Sequence, residues 1–150
     1  FYTGKRRLNS KILGEQHKAS QKNEKEVINS LNYIKESGYK ILENVENGNI
    51  TELGLLFDEH WKYKKKMAKG ISSPEFDRIY EVAKRNGAIG GKISGAGGGG
   101  FFTLYCEEHK TELRKAMKDE GLRELVYDFD FEGTKVLGNF MNYSVDTINP

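Results

Sequence analysis

The order of hydrophobic patterns along these 150 residues predicts an α+β sandwich, a βαββαβ skeleton carrying additional helices. Three observations support that class. Short β-prone runs (Phe1-Tyr2-Thr3, Phe101 to Cys106, and the alternation Leu125, Tyr127, Phe129, Phe131) are separated by helical stripes. Several helices fall between the first run and the middle of the chain, and one more separates the central strands from the last. Between the two central strands lies Gly90 to Gly100, which holds seven of the chain's 17 glycines.

The elements follow in order. Phe1-Tyr2-Thr3 reads as the end of a strand that begins elsewhere, and with no initiator Met a piece of a longer protein is expected. Lys5, Arg6 and Arg7 then form a basic cluster, either a solvated helix entrance or a patch facing an anion. Leu8, Ile12, Gln16 and Ala19 set a first helix beginning near Asn9 or Ser10. From Glu24, Val27, Leu31, Ile34, Gly38, Ile41, Leu42 and Val45 form the stripe of a long helix, with Gly38 marking a close crossing or a break. Asn47-Gly48-Asn49 stops it.

Leu53, Phe57, Trp61 and Lys64 place a third helix, ending in Lys62, Lys64, Lys65, Lys66 and Lys69. Cations suit a helix C-terminus, so a solvated face is one reading and a phosphate patch the other. Ser73 as a cap, Pro74 in the first turn and Glu75 at the positive end of the dipole start a fourth helix. Its inward face is Phe76, Ile79, Tyr80 and Ala83, and Gly87 ends it. A last helix spans Glu107 to Glu120 with Leu113, Ala116 and Met117 inward, before strands at Leu125–Phe131 and Thr134–Leu137.

Composition narrows the function classes. A net charge of +2 is too small to argue for nucleic acid. No apolar run approaches the roughly 20 residues of a membrane span. The single cysteine, Cys106, reads as a buried core thiol, which suits a reducing cytoplasm. His17, His60 and His109 lie outside ligand spacing, so no metal site is expected. A homo-oligomer stays open.

The glycine segment calls for a physical reason, because glycine loses more backbone entropy on ordering than any other residue. Either several neighbouring positions need φ > 0, or a polar ligand must touch bare amides, as a phosphate does in an anion nest. Gly95-Ala96-Gly97-Gly98-Gly99-Gly100 matches G-x-G-x-x-G literally. The dinucleotide-binding version needs a helix directly after the glycines, and here a strand follows. Walker A needs Gly-Lys followed by Ser or Thr after the glycines, whereas Ile93 follows Gly91-Lys92. The protein-kinase loop requires downstream motifs that the chain lacks. A strand–glycine turn–strand element remains. A purely structural hairpin is the alternative, although a hairpin needs only one or two glycines.

Lys92-Ile93-Ser94-Gly95-Ala96-Gly97-Gly98-Gly99-Gly100-Phe101 resembles the third motif of the GHMP small-molecule kinases. His60-Trp61 through Lys64-Lys65-Lys66, Ile71-Ser72-Ser73-Pro74, Asn86 to Lys92 and Thr3-Gly4-Lys5-Arg6-Arg7 resemble the heptose phosphate kinase branch. The resemblance covers nearly the whole chain. It implies that residues 1–150 form a GHMP C-terminal domain with a ferredoxin-like core. It implies ATP-dependent phosphoryl transfer to a hydroxyl of a heptose phosphate, with ATP and Mg2+ as cofactors.

The main ATP loop and the catalytic carboxylates of such kinases belong to an N-terminal half that this sequence does not show. That domain is therefore an expected partner, no catalytic residue is assigned here, and the isolated chain is expected to be inactive. The resemblance assigns Lys92, Ser94, Gly95, Ala96, Gly97, Gly98 and Gly99 to the phosphate site. Lys5, Arg6, Arg7 and Lys65 are weaker candidates for contact with the sugar phosphate. The rival reading is a non-catalytic ferredoxin-like ligand-sensing or interaction domain.

Overall fold

The computed structural model describes residues 1–5, 9–128 and 130–135. Four helices come first: α1 (Asn9–Gln21), α2 (Lys25–Glu46), α3 (Ile50–Lys65) and α4 (Pro74–Arg85). An antiparallel hairpin follows, β1 (Gly90–Ile93) with β2 (Phe102–Tyr105), and then α5 (Lys110–Asp119). The register pairs Gly90 with Tyr105 and Ile93 with Phe102, so residues 94–101 form the loop between strands.

The hairpin is widened by single bridges. Tyr2 bridges both Phe101 and Arg123, with Tyr2 N–H donating to Arg123 O at 2.7 Å. Phe102 N–H donates to Phe1 O at 2.7 Å. The lateral order is therefore Arg123, Tyr2, β2, β1, which in chain order reads 4-1-3-2, all antiparallel. That is the order of a split βαβ sandwich, so the α+β class stands. Its outer strands are shorter than the hydrophobic alternation suggested. Tyr2 contributes a bridge and not a full strand, and residues 125–128 are irregular. Tyr2 stands opposite Arg123 in antiparallel register, and Val126, three residues further on, is 90% exposed. Phe129 and the second half of Thr134–Leu137 lie outside the described residues.

α4 follows its sequence closely. Ser73 caps it by accepting Phe76 N–H at 3.3 Å, Pro74 opens it, and all four inward residues, Phe76, Ile79, Tyr80 and Ala83, are buried. At its end Gly87 takes φ 101, and Ala88 N–H closes onto Ala83 O at 3.0 Å. This left-handed closure turns the chain into β1. α5 starts at Lys110, later than the Glu107 expected, after His109 in the left-handed region (φ 55).

α2 departs from its expected stripe. Val27 is buried, but the other buried residues are Ser30 and Ser37, while Leu42 and Val45 are exposed. The serines are small, and each hydroxyl is satisfied within its own helix, Ser30 by Glu26 O and Ser37 by Ile34 O, both at 2.8 Å. Gly38 neither breaks the helix nor marks a close crossing, since a Cβ there would meet nothing within 4 Å.

Phe102 is the centre of the core. It contacts Trp61 and Phe76 edge-on and Tyr80 face-on, with centroids 6.5, 5.9 and 6.4 Å away. Ile71, Ile93 and Met117 are fully buried around it. Cys106 is half-buried at the end of β2 instead of lying within the core, with its thiol donating to Glu108 O. No described helix is long and apolar enough to cross a membrane.

Candidate functional site

Three segments converge on the glycine loop. At its entry, Lys64 on α3 donates to Ile93 O at 3.2 Å and to Gly95 O. In the middle, Gly98 N–H donates to Ile71 O at 2.8 Å. At its exit, Gly100 N–H is shared between Lys5 O (3.0 Å) and the Thr3 hydroxyl (3.1 Å), and that hydroxyl donates back to Gly100 O at 3.0 Å. Ser94 N–H closes the hairpin onto Phe101 O at 2.8 Å.

The remaining loop amides, those of Gly95, Ala96, Gly97, Gly99 and Phe101, find no acceptor among the described residues. Gly98 leaves the expected set of amides open to a ligand, because its N–H is committed to Ile71. The backbone accounts for the composition: Gly95, Gly97, Gly98, Gly99 and Gly100 all have positive φ, between 73° and 145°. Two also lie against neighbouring backbone. A Cβ on Gly97 would stand 2.9 Å from Ile71 O, and one on Gly99 2.5 Å from Lys5 O. Gly97→Val is therefore a packing change as well as a loop change. Gly95 has nothing within 4 Å of a Cβ, so its side faces open space.

A cationic group lies under the loop's entry. Lys92 on β1 is half-buried, its ammonium 5.1 Å above the Phe57 ring. Burial pushes the Lys92 ammonium below its ordinary range. Burial, and then the neighbouring Lys92, push Lys64 down to about 8. His60 is lowered to about 4 by burial, then by Lys92 and Lys64, and its Nδ1 lies 3.3 Å from Ser37 Oγ. No carboxylate offsets Lys64 or Lys92 in the described ion pairs. Half-buried positive charge beside unbonded amides favours an anion. Ser94 is exposed, with its hydroxyl 2.9 Å from Thr103 Oγ1, and Ala96 is half-buried in the loop.

The other candidates are placed differently. Lys65 is tied to Asp77 at 2.9 Å and sits 5.9 Å from the Trp61 ring, so it is a packing cation and not one held ready for a ligand. Lys5 brings its carbonyl to the loop, but its ammonium pairs with Glu75. Arg6 and Arg7 lie outside the described residues. Lys62 pairs with Asp58 at 2.6 Å and Lys66 with Glu26 at 3.9 Å, so that Lys62, Lys65 and Lys66, unlike Lys64, are compensated.

Asp58 also accepts from Tyr80 OH at 2.6 Å and lies 3.6 Å from Lys84. Burial alone would raise its carboxyl, but bonds from Lys62 and Tyr80 and the charges of Lys84 and Lys62 outweigh this and hold it below its ordinary range. Among the described residues no three His, Cys, Asp or Glu side chains cluster as metal ligands do. An apolar groove of about 460 Å³ lined by Phe1, Leu113, Arg114 and Leu125 meets the loop only at its ends, Ser94 and Phe101.

Two participants had no clear signal in the sequence. Lys64 was legible only as the polar end of the Leu53–Phe57–Trp61 stripe, which is how its ammonium comes to lie beneath the loop. Gly54, in mid-helix, lets α3 approach β1 closely: a Cβ on Gly90 would stand 1.9 Å from Gly54 O.

Residues 41–123 match the family described as GHMP kinases C terminal. The chain is 33% identical over 124 residues to D-glycero-alpha-D-manno-heptose 7-phosphate kinase of Campylobacter jejuni, which covers 81% of this chain and 36% of that protein. It is 38% identical over 73 residues to the mevalonate kinase of Methanocaldococcus jannaschii, covering 48% of this chain and 22% of that one. Among solved structures, L. major mevalonate kinase in complex with R-mevalonate superposes with a TM-score of 0.70 at 22% identity. That match covers 79% of this chain and 36% of the other, and it is a likeness of fold. The chain thus spans little more than a third of the length of these proteins, or less.

Proposed function

Because the chain belongs to the GHMP kinases through their C-terminal domain, we propose that residues 1–150 form the C-terminal domain of an ATP-dependent kinase. In this reading it phosphorylates a hydroxyl of a heptose phosphate. The observation that carries the proposal is a pinned loop whose free amides find no acceptor among the described residues, tied at its entry to Lys64, which no described carboxylate neutralises. Phosphoryl transfer is mostly positioning and stabilisation of charge on the transferring group. A fixed set of N–H donors suits that task, because the donors need no reorganisation as charge develops.

The amides of Gly95, Ala96, Gly97 and Gly99 take phosphate oxygens, and Lys92 supplies positive potential from below. Ser94 lies at the rim of the same site. The similarity to a heptose 7-phosphate kinase supports the choice of acceptor. ATP fits the donor set through its phosphates. As the family resemblance implies, Mg2+ comes with the nucleotide and the N-terminal domain, which is also the source of the main ATP loop and the base. Of the proposed sugar-phosphate contacts, Lys5 and Lys65 would have to leave Glu75 and Asp77, which makes Lys92 the better candidate. A cytoplasmic enzyme fits this chemistry.

The test is a coupled ADP-release assay on the full-length polypeptide with Mg-ATP and D-glycero-D-manno-heptose 7-phosphate or mevalonate. Heptose-phosphate-dependent ADP release is expected, with mevalonate slower by at least about a hundredfold. Residues 1–150 alone should give no turnover. A preference for mevalonate would overturn the acceptor, and the absence of transfer to either would overturn the kinase reading.

A further inference from the structure

We propose that Lys64 is a positioning residue that sets the glycine loop, holding the carbonyls of Ile93 and Gly95 so that the Ala96 amide faces outward. The inference rests on the kinase reading only for its consequence in turnover; the structural part stands alone.

The peptide bond supplies the argument. In a planar trans peptide, the C=O of one residue and the N–H of the next point in opposite directions. Lys64 Nζ holds Ile93 O at 3.2 Å, so Ser94 N–H points the other way, and it does so by bonding Phe101 O at 2.8 Å. Lys64 also holds Gly95 O, so Ala96 N–H is turned away from α3. Among the described residues nothing else bonds that peptide: no acceptor takes the Ala96 amide, and a Cβ at Gly95 would meet nothing within 4 Å. Gly95, at φ 79, can readily adopt other backbone conformations. Without the ammonium, the Gly95–Ala96 peptide is free to turn, and an outward carbonyl would then repel a phosphate.

The surroundings show that Lys64 is held for this purpose. It is half-buried at the end of the Leu53–Phe57–Trp61 stripe, and no carboxylate among the described residues neutralises it. Its titratable neighbours are Lys92 on β1 and His60 on α3, neither of them negative. Two carbonyl dipoles are thus its bonded partners. The adjacent lysines differ, since Lys62 and Lys65 spend their charge on Asp58 and Asp77.

The experiment compares Lys64→Met, which keeps the length and removes the charge, with Lys64→Arg, which keeps a cation, in the full-length polypeptide. Hydrogen exchange is read at the bonded loop amides of Ser94, Gly98 and Gly100 and at the β1–β2 ladder. Lys64→Met is expected to speed exchange at the loop amides by at least about tenfold while leaving the ladder within about twofold, and Lys64→Arg to restore protection. In the ADP-release assay, Lys64→Met should lower kcat by at least about tenfold with a smaller change in KM for the sugar phosphate.

Unchanged loop exchange in Lys64→Met, or an equal acceleration in the ladder, would overturn the proposal. Faster loop exchange in a protein whose wild type transfers no phosphoryl group would support the role of Lys64 and remove the kinase reading. Faster loop exchange with full wild-type kcat would support the tie and overturn its role in positioning for turnover.

Discussion

Gly90→Ala should destabilise the fold by about 3 kcal/mol or more, one of the two largest effects expected of a single substitution here. The added Cβ would stand 1.9 Å from Gly54 O and 2.9 Å from Asp58 N. Both are backbone atoms of α3, so no rotamer change relieves the overlap and the helix must move off β1. That movement would disturb the Asp58 links to Tyr80 and Lys62, at 2.6 Å each, and the hold of Lys64 on the loop.

The reverse change, Gly54→Ala, meets side chains first, Tyr105 Cδ1 at 2.6 Å and Ile89 Cγ2 at 2.7 Å. Those atoms can shift, so a smaller loss of about 1–3 kcal/mol is expected. Urea titrations with matched slopes would measure both. Wild-type stability in Gly90→Ala would contradict the close packing of α3 on β1.

Gly95→Ala should lower turnover of the full-length polypeptide by at least about a hundredfold, since small displacements at a positioning site have effects of that size. Its structural cost should be modest. The new methyl meets nothing within 4 Å, leaving only the left-handed φ of 79°, about 1–2 kcal/mol. The methyl stands on the open side of the loop, next to the unbonded amides, where a phosphate would approach.

Gly48→Ala is the matched control. It has φ 72 and an equally empty surround, in the turn between α2 and α3. It should lose similar stability and keep turnover. Equal turnover in Gly95→Ala and Gly48→Ala would mean that the loop is not at the reacting phosphate.

Legibility in the sequence followed how local each interaction is. α4 was readable residue by residue, because a cap, a first-turn proline and a 3.6-residue stripe are encoded within a dozen positions. In α3 the stripe was legible in part: Trp61 is buried, but Leu53 and Phe57 are half-buried and the second buried residue is Gly54. On α2 the first half of the stripe was legible, with Val27 buried and Leu31 and Ile34 against the core. Buried Ser30 and Ser37, satisfied within the helix, carry no hydrophobic signal, and Leu42 and Val45 are exposed. The expected strand at Leu125–Phe131 had the right alternation, but pairing depends on a register with Phe1–Thr3 that no local pattern reveals.

The site divides the same way. The glycine loop and its positive φ values were legible as composition. Its supports were not, because Ile71 O and Lys5 O are backbone carbonyls and carry no residue signature. The lysine cluster could not be sorted from sequence, since the partners that neutralise Lys65 and Lys66, Asp77 and Glu26, lie on other helices.

In the proposed kinase some loop amides take phosphate while others hold the loop together. Amide shifts of the 15N-glycine-labelled full-length polypeptide, recorded with and without Mg-ATP and heptose 7-phosphate, test it most directly. The account predicts that Gly95, Gly97 and Gly99 move downfield on binding, as amides do when they gain a charged acceptor. Gly98 and Gly100, already bonded to Ile71 O and Lys5 O, should stay near their positions. A saturated, turning-over enzyme in which Gly95, Gly97 and Gly99 do not move would contradict it.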